Sequence, residues 1–320
     1  MRKFGSWALL GLGAFLVIAA LVARLWGLPA AERTPLDTDS RTTLSGEASG
    51  AVVQVGDGEP QPVKALNVTK ADSERSDDDV IVFAAYTCLA VDQDLDEDEY
   101  CLTGEDERIV TIGEPDVFAT DRSDAVAVEN GEYVPGDYEQ KEGLVNKWPF
   151  RVEQKDYDVW DDVLGEAVTA EYVGTESVEG LRTYKFEYSV QDRETEIADG
   201  VDGTYSQTKV YWIDPTTGAI IKQTQDETRT TETGAVALDI ELAYTDETVE
   251  KNVASAEDNA GTLKLLGTWI PLVGGILGLI LLLAGAFLLV TARGGGRRTR
   301  DGHDGTTGTT GHTGGASLVK

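Results

Sequence analysis

The chain has 320 residues, 57 acidic and 27 basic side chains and a net charge of −30. Such a balance excludes nucleic acid as a partner held by bulk electrostatics. Both histidines, His303 and His312, stand near the C-terminus, so the rest of the chain has no Ser-His-Asp, Cys-His or histidine-zinc chemistry. It contains no P-loop and no dinucleotide fingerprint; no catalytic residue and no cofactor is expected.

Residues 1–27 hold an apolar run, "WALLGLGAFLVIAALVARLWG", behind Arg2 and Lys3. It is long enough to cross a bilayer and longer than the apolar core of a signal peptide, so an uncleaved anchor is expected. Arg24 is expected to snorkel at its outer end. Residues 265–292 form a second, uncharged run, followed by Arg293, Arg297, Arg298 and Arg300. Basic residues beyond both runs predict cytoplasmic termini in the plasma membrane and an extracytoplasmic domain over 28–264. From Ala31 to Gly267 there are 55 acidic and 19 basic residues, a net 19 − 55 = −36. Glycines in both runs (Gly11 and Gly13; Gly274 and Gly278) permit close helix packing. The Gly/Thr-rich tail over 293–320 reads as disordered and cytoplasmic.

The middle is written in period two. "TYKFEYSV" alternates Tyr184, Phe186, Tyr188 and Val190 with polar residues, and "AVALDIELAY" does the same with Val236, Leu238, Ile240, Leu242 and Tyr244. Both predict half-buried antiparallel strands. Between them, Asp214-Pro215-Thr216-Thr217-Gly218 predicts a hairpin turn. "VFATDRSDAVAV", from Val117, can be laid over "VYWIDPTTGAII", from Val210, as two copies of one meander module. The linking segment carries Trp148, Pro149, Phe150, Tyr157 and Trp160, whose rings are expected to dock it onto the sheet. The fold class is therefore mainly β: an antiparallel-sheet domain between two transmembrane helices.

"CLAVDQDLDEDEYC" places six carboxylates between Cys88 and Cys101, the only cysteines. On an oxidising side of the membrane these cysteines pair. Asp92, Asp94 and Asp96 match the first ligands of an EF-hand calcium loop. Glu97 and Thr103, however, stand where that loop needs Gly and a bidentate Glu. A stapled, solvated hairpin tip is the preferred reading, with calcium as the alternative. Asn67-Val68-Thr69 fits a glycosylation acceptor.

The basic N-terminus with its anchor, the Cys88/Cys101 pair, "FATDR", "EGLVNKWPF" with "YDVWD", the "YWIDPTTGAII" hairpin and the Arg-rich exit of the last helix together resemble the actinobacterial porin PorA family. The resemblance covers about residues 1–292. It implies membership of a membrane family without catalytic residues to carry over, and its name implies a channel. The apolar faces Tyr184/Phe186/Tyr188 and Val236/Leu238/Ile240/Leu242/Tyr244 suggest a groove for a lipid or acyl chain. The expected partners are membrane lipids, and other envelope proteins or a second copy through the helices. An oligomeric channel and a ligand-free envelope scaffold are the alternatives.

Overall fold

A computed structural model describes residues 2–93, 95, 101–112 and 115–294. The first helical stretch is α1 (Arg2–Val22), a π-helical segment (Ala23–Gly27) and α2 (Leu28–Ala31). Eleven strands follow. These are β1 (Asp39–Ser49), β2 (Gln61–Asp72), β3 (Val80–Val91), β4 (Ile109–Ile112), β5 (Asp116–Asp121) and β6 (Tyr157–Asp161), then β7 (Glu166–Val178), β8 (Leu181–Ala198), β9 (Val201–Ile213), β10 (Ile220–Thr231) and β11 (Val236–Tyr244). The chain then runs through α3 (Asp246–Lys264), a π-helical segment (Leu265–Gly274) and α4 (Gly275–Gly294).

The strands make one antiparallel sheet in the order β4-β3-β2-β1-β11-β10-β9-β8-β7-β6, with β5 paired to β3. The mainly β architecture read from the sequence is borne out. Its two halves join in one continuous sheet, because β1 pairs with β11 and brings the beginning of the domain beside its end. The period-two alternation becomes burial directly. Phe186, Tyr188 and Val190 of β8 are buried while Glu187 and Ser189 lie towards the other face. On β11 Leu238, Ile240 and Leu242 are buried and Asp239 and Glu241 exposed.

The turn between β9 and β10 forms where Pro215 and Gly218 place it. Gly218 has φ +73°, and a Cβ there would fall 2.1 Å from the Trp148 carbonyl oxygen, so glycine satisfies both the turn and the close approach. The linking segment docks on this turn: Trp148 N–H donates to Gly218 O (2.9 Å) and Arg151 N–H to Thr216 O (3.1 Å).

Helix α3 lies in a stretch that the sequence reading left inside the β domain. Its composition is polar, but Val249, Val253, Ala256, Ala260 and Leu263 recur at four- and three-residue steps and are all buried. That spacing is one stripe of a helix. Thr245 caps it, its side chain accepting from Thr248 N–H, which is the helix-start signal the sequence carries. Val249, Val253 and Ala256 pack on Trp212, Ile221 and Val178.

Two compact units divide the chain: Val22–Pro271, and Met1–Leu21 with the described chain from Leu272 on. In the second unit a glycine seam pairs the two apolar helices. A Cβ at Gly278 would meet Gly13 O at 2.8 Å, one at Gly285 would meet Leu10 Cγ at 2.8 Å, and Gly274 faces Leu16 and Ala20. Small residues let backbones approach closely where apolar burial cannot drive association. Gly11 does not take part, having nothing near its Cβ position.

Candidate functional site

The two apolar faces expected to form a ligand groove are filled by the protein itself. Phe186 is 0% exposed, with its ring 5.6 Å from Trp148 and 5.7 Å from both Tyr157 and Tyr172. Tyr184 is partly buried against the same cluster, which also holds Tyr188, Tyr211, Leu144 and Val159. Further along the same face Leu238, Ile240 and Leu242 of β11 pack with Leu44, Val63, Leu89 and Val91, with Tyr244 against them. Val236 is 43% exposed and stands outside that core. The sequence could not reveal the filling, because the linking segment over 144–160 comes from far along the chain. Its aromatics do dock the segment onto the sheet, as expected. The opposite side of β1, β11, β10 and β9 carries an open depression of ≈ 560 Å³ lined mainly by polar residues, including Glu47, Glu241 and Asp226 in one cross-strand row. That surface does not suit an acyl chain.

Behind Tyr188 lies a buried polar network that the sequence reading missed. The hydroxyls of Tyr188 and Tyr205 each sit 2.9 Å from Asp161 Oδ2 and 2.5 Å from Gln207 Oε1. Asp161 Oδ1 accepts the Val163 and Leu164 N–H groups at 3.0 Å. Gln207 Nε2 donates to Glu227 Oε2 (3.1 Å), and Arg229 Nε donates to Glu227 Oε1 (2.7 Å). Burial first, and nearby acidic groups after it, push both phenols far above their ordinary range. They therefore remain protonated donors at physiological pH. The network fixes strands β6, β8, β9 and β10 to one another, and its phenols offer no proton to exchange near neutrality. Polar residues on the inward side of β9 and β10 (Gln207, Glu227, Arg229) were the signal available.

Cys88 and Cys101 form the expected disulfide, with Cα atoms 5.3 Å apart. Asp92 makes an ion pair with Lys64 (3.1 Å), so one carboxylate of the calcium alternative has a protein partner. Asp94 and Asp96 lie outside the described residues, as does the tail over 295–320. Asn67 occupies the middle of β2, paired to Thr42 on β1 and Thr87 on β3, and its Oδ1 accepts from Thr87 Oγ1 at 2.9 Å.

A cleft of ≈ 290 Å³ opens within the Val22–Pro271 unit, lined by Arg24, Leu28, Glu32, Arg151, Thr216, Leu263, Lys264, Gly267 and Thr268. Its base is the contact of Leu28 with Gly267, where a Cβ would come 3.1 Å from the leucine side chain. Arg151 pairs with Glu32 at 2.6 Å and holds a left-handed backbone, φ +59°. Both π-helical segments contribute to the cleft: Arg24 lies in the first, and Gly267 and Thr268 in the second, which begins directly after Lys264.

The helices Phe4–Ala31 and Asp246–Thr291 are both long and apolar enough to cross a membrane. The family model described as porin PorA matches residues 5–287, both helices and the sheet between them included. The chain belongs to the porin PorA family. One relative, a protein named porin PorA from Corynebacterium resistens, is 24% identical over an alignment of 246 residues. That alignment covers 51% of this chain and 59% of the relative. As a family member with two apolar helices, the protein has a membrane location.

Proposed function

We propose that this protein is a non-catalytic, two-span scaffold of the cell envelope, with residues 28–264 outside and both ends in the cytoplasm. Its spans contact membrane lipid, and its acidic sheet domain presents polar surfaces to other envelope components. The observation that carries this reading is the filling of the apolar faces. With Phe186 and Tyr188 enclosed by Trp148, Tyr157 and Tyr211, the acyl-chain groove suggested by the sequence loses its space. The cytoplasmic placement of both ends rests on the Arg-rich exit after Ala292 and on Arg2 and Lys3.

A channel is the second reading, favoured by the family to which the chain belongs. Against it stands the helix pair, in which Gly13, Gly274, Gly278 and Gly285 are taken up by contact with the other helix. The apolar runs also bring no charged side chain between Phe4 and Ala23 or between Leu265 and Ala292. A conducting pore needs polar lining, which this pair would not supply.

Protease treatment of intact cells lacking an outer barrier should digest the sheet domain and spare a C-terminal epitope. Purified full-length protein in a planar bilayer should pass no current. Steady single-channel conductance would overturn the scaffold reading in favour of the channel.

A further inference from the structure

We infer that the cleft among Arg24, Lys264 and Arg151 binds the phosphate of an anionic membrane lipid, taken from the leaflet that faces the sheet domain. The inference rests on the two-span reading above only for the side of the membrane.

Three cations and a single carboxylate line this cleft, in a chain whose net charge is −30. The carboxylate, Glu32, is engaged by Arg151 at 2.6 Å. No ion pair among the described residues involves Arg24 or Lys264. A guanidinium carried on a membrane helix is costly unless something pairs with it, and Arg24 follows an uncharged run from Phe4. Lys264 is likewise the last charge before the uncharged stretch over 265–292. Both cations thus mark the boundary where hydrocarbon meets headgroups, and Trp26 and Trp269 are exposed beside them, as interfacial aromatics are.

The walls suit a phosphodiester. Thr216 and Thr268 bring hydroxyls to the cleft, while Leu28 and Leu263 give it an apolar floor, matching a polar head joined to acyl chains. Arg151 is held at the rim in a backbone conformation that a non-glycine residue adopts at a cost, its N–H tied to the Thr216 carbonyl at 3.1 Å. The π-helical segments carry Arg24 and follow Lys264 directly. Wide helical turns of this kind recur at functional sites.

The test uses the full chain, exchanged in detergent and presented with phosphatidylglycerol, phosphatidylcholine or inorganic phosphate, with bound molecules read by native mass spectrometry. The wild type should retain one phosphatidylglycerol in preference to phosphatidylcholine. Each charge-assisted contact to a phosphate is worth about tenfold in affinity, so Arg24→Gln with Lys264→Gln should weaken retention about a hundredfold. Lys70→Gln with Lys251→Gln removes the same charge elsewhere and should leave retention unchanged. Equal retention by wild type and the Arg24/Lys264 double variant overturns the assignment. So does equal binding of phosphatidylcholine, and so does displacement of the lipid by millimolar inorganic phosphate, which assigns the cleft to a free anion. Unfolding midpoints of all variants, by tryptophan fluorescence, should match the wild type. Failure of the chain to fractionate with membranes in cells is read separately and would sink the two-span reading itself.

Discussion

Replacing Phe186 with alanine separates a core side chain from a groove-lining one. The ring is fully enclosed, in contact range of Trp148, Tyr157 and Tyr172. Returning its apolar surface to water in the unfolded chain is worth about 2 kcal/mol. A void of about 100 Å³ at about 24 cal/mol per Å³ adds about 2 kcal/mol more. The expected loss is therefore about 4 kcal/mol, a large share of the ~5–15 kcal/mol that stabilises an ordinary domain. With a urea dependence of roughly 3 kcal/mol per molar, the midpoint should fall by about 1.3 M. Tryptophan fluorescence of the detergent-held full chain reports it, since Trp148 touches the substituted ring. Val236→Ala, at an exposed position of β11, should change the midpoint by less than about 0.2 M. A Phe186→Ala shift that small would refute the reasoning, because a ring lining an open groove costs little to remove.

Four further outcomes are expected. Gly278→Leu forces a side chain into the 2.8 Å approach to Gly13 O. It should destabilise the helix pair by about 1–3 kcal/mol, seen as an earlier loss of helical circular dichroism when denaturing detergent is titrated into the full chain. Asp161→Asn removes the carboxylate that accepts two tyrosine hydroxyls and two backbone N–H groups; a loss of about 1–3 kcal/mol should appear as a lower urea midpoint. Lys147 keeps some surface exposure, but its amine lies 3.9 Å from the centre of the Phe150 ring. Burial pulls its pKa down from 10.5 to about 8. The unfolded chain then binds more protons between these values, so stability should rise with pH across that window, on the order of 1–2 kcal/mol from pH 8 to 9.5. Lys147→Met should remove that rise, as urea midpoints at the two pH values will show. Loss of the Cys88–Cys101 bond, which closes a 13-residue separation, should cost about 3 kcal/mol in the chain-entropy model. An unchanged midpoint in Cys88→Ala with Cys101→Ala would mean that the loop is already constrained without it.

Local patterns of one residue type against another settled much of this protein before any fold was known. Period-two alternation made β8 and β11 legible because a pleated strand turns successive side chains to opposite faces. Pro215 and Gly218 made the β9–β10 hairpin legible because they preset its backbone. The apolar runs and their basic borders marked the spans, and the paired cysteines named each other by being alone. Helix α3 was written in the sequence too, in the steps from Val249 to Leu263, but its acidic composition masked a stripe only five residues strong.

What the tertiary structure decided is what each face meets, since that depends on residues distant in the chain. An amphipathic strand states only that one side avoids water. It was the docking of Trp148 on the β9–β10 turn that made Phe186 core rather than groove. The Asp161–Tyr188–Tyr205–Gln207 network and the cleft of Arg24, Arg151 and Lys264 arise in the same way. Each gathers polar groups from separate elements, and no local periodicity encodes such a meeting because its members stand far apart in the chain and only the folded arrangement of those elements brings them together.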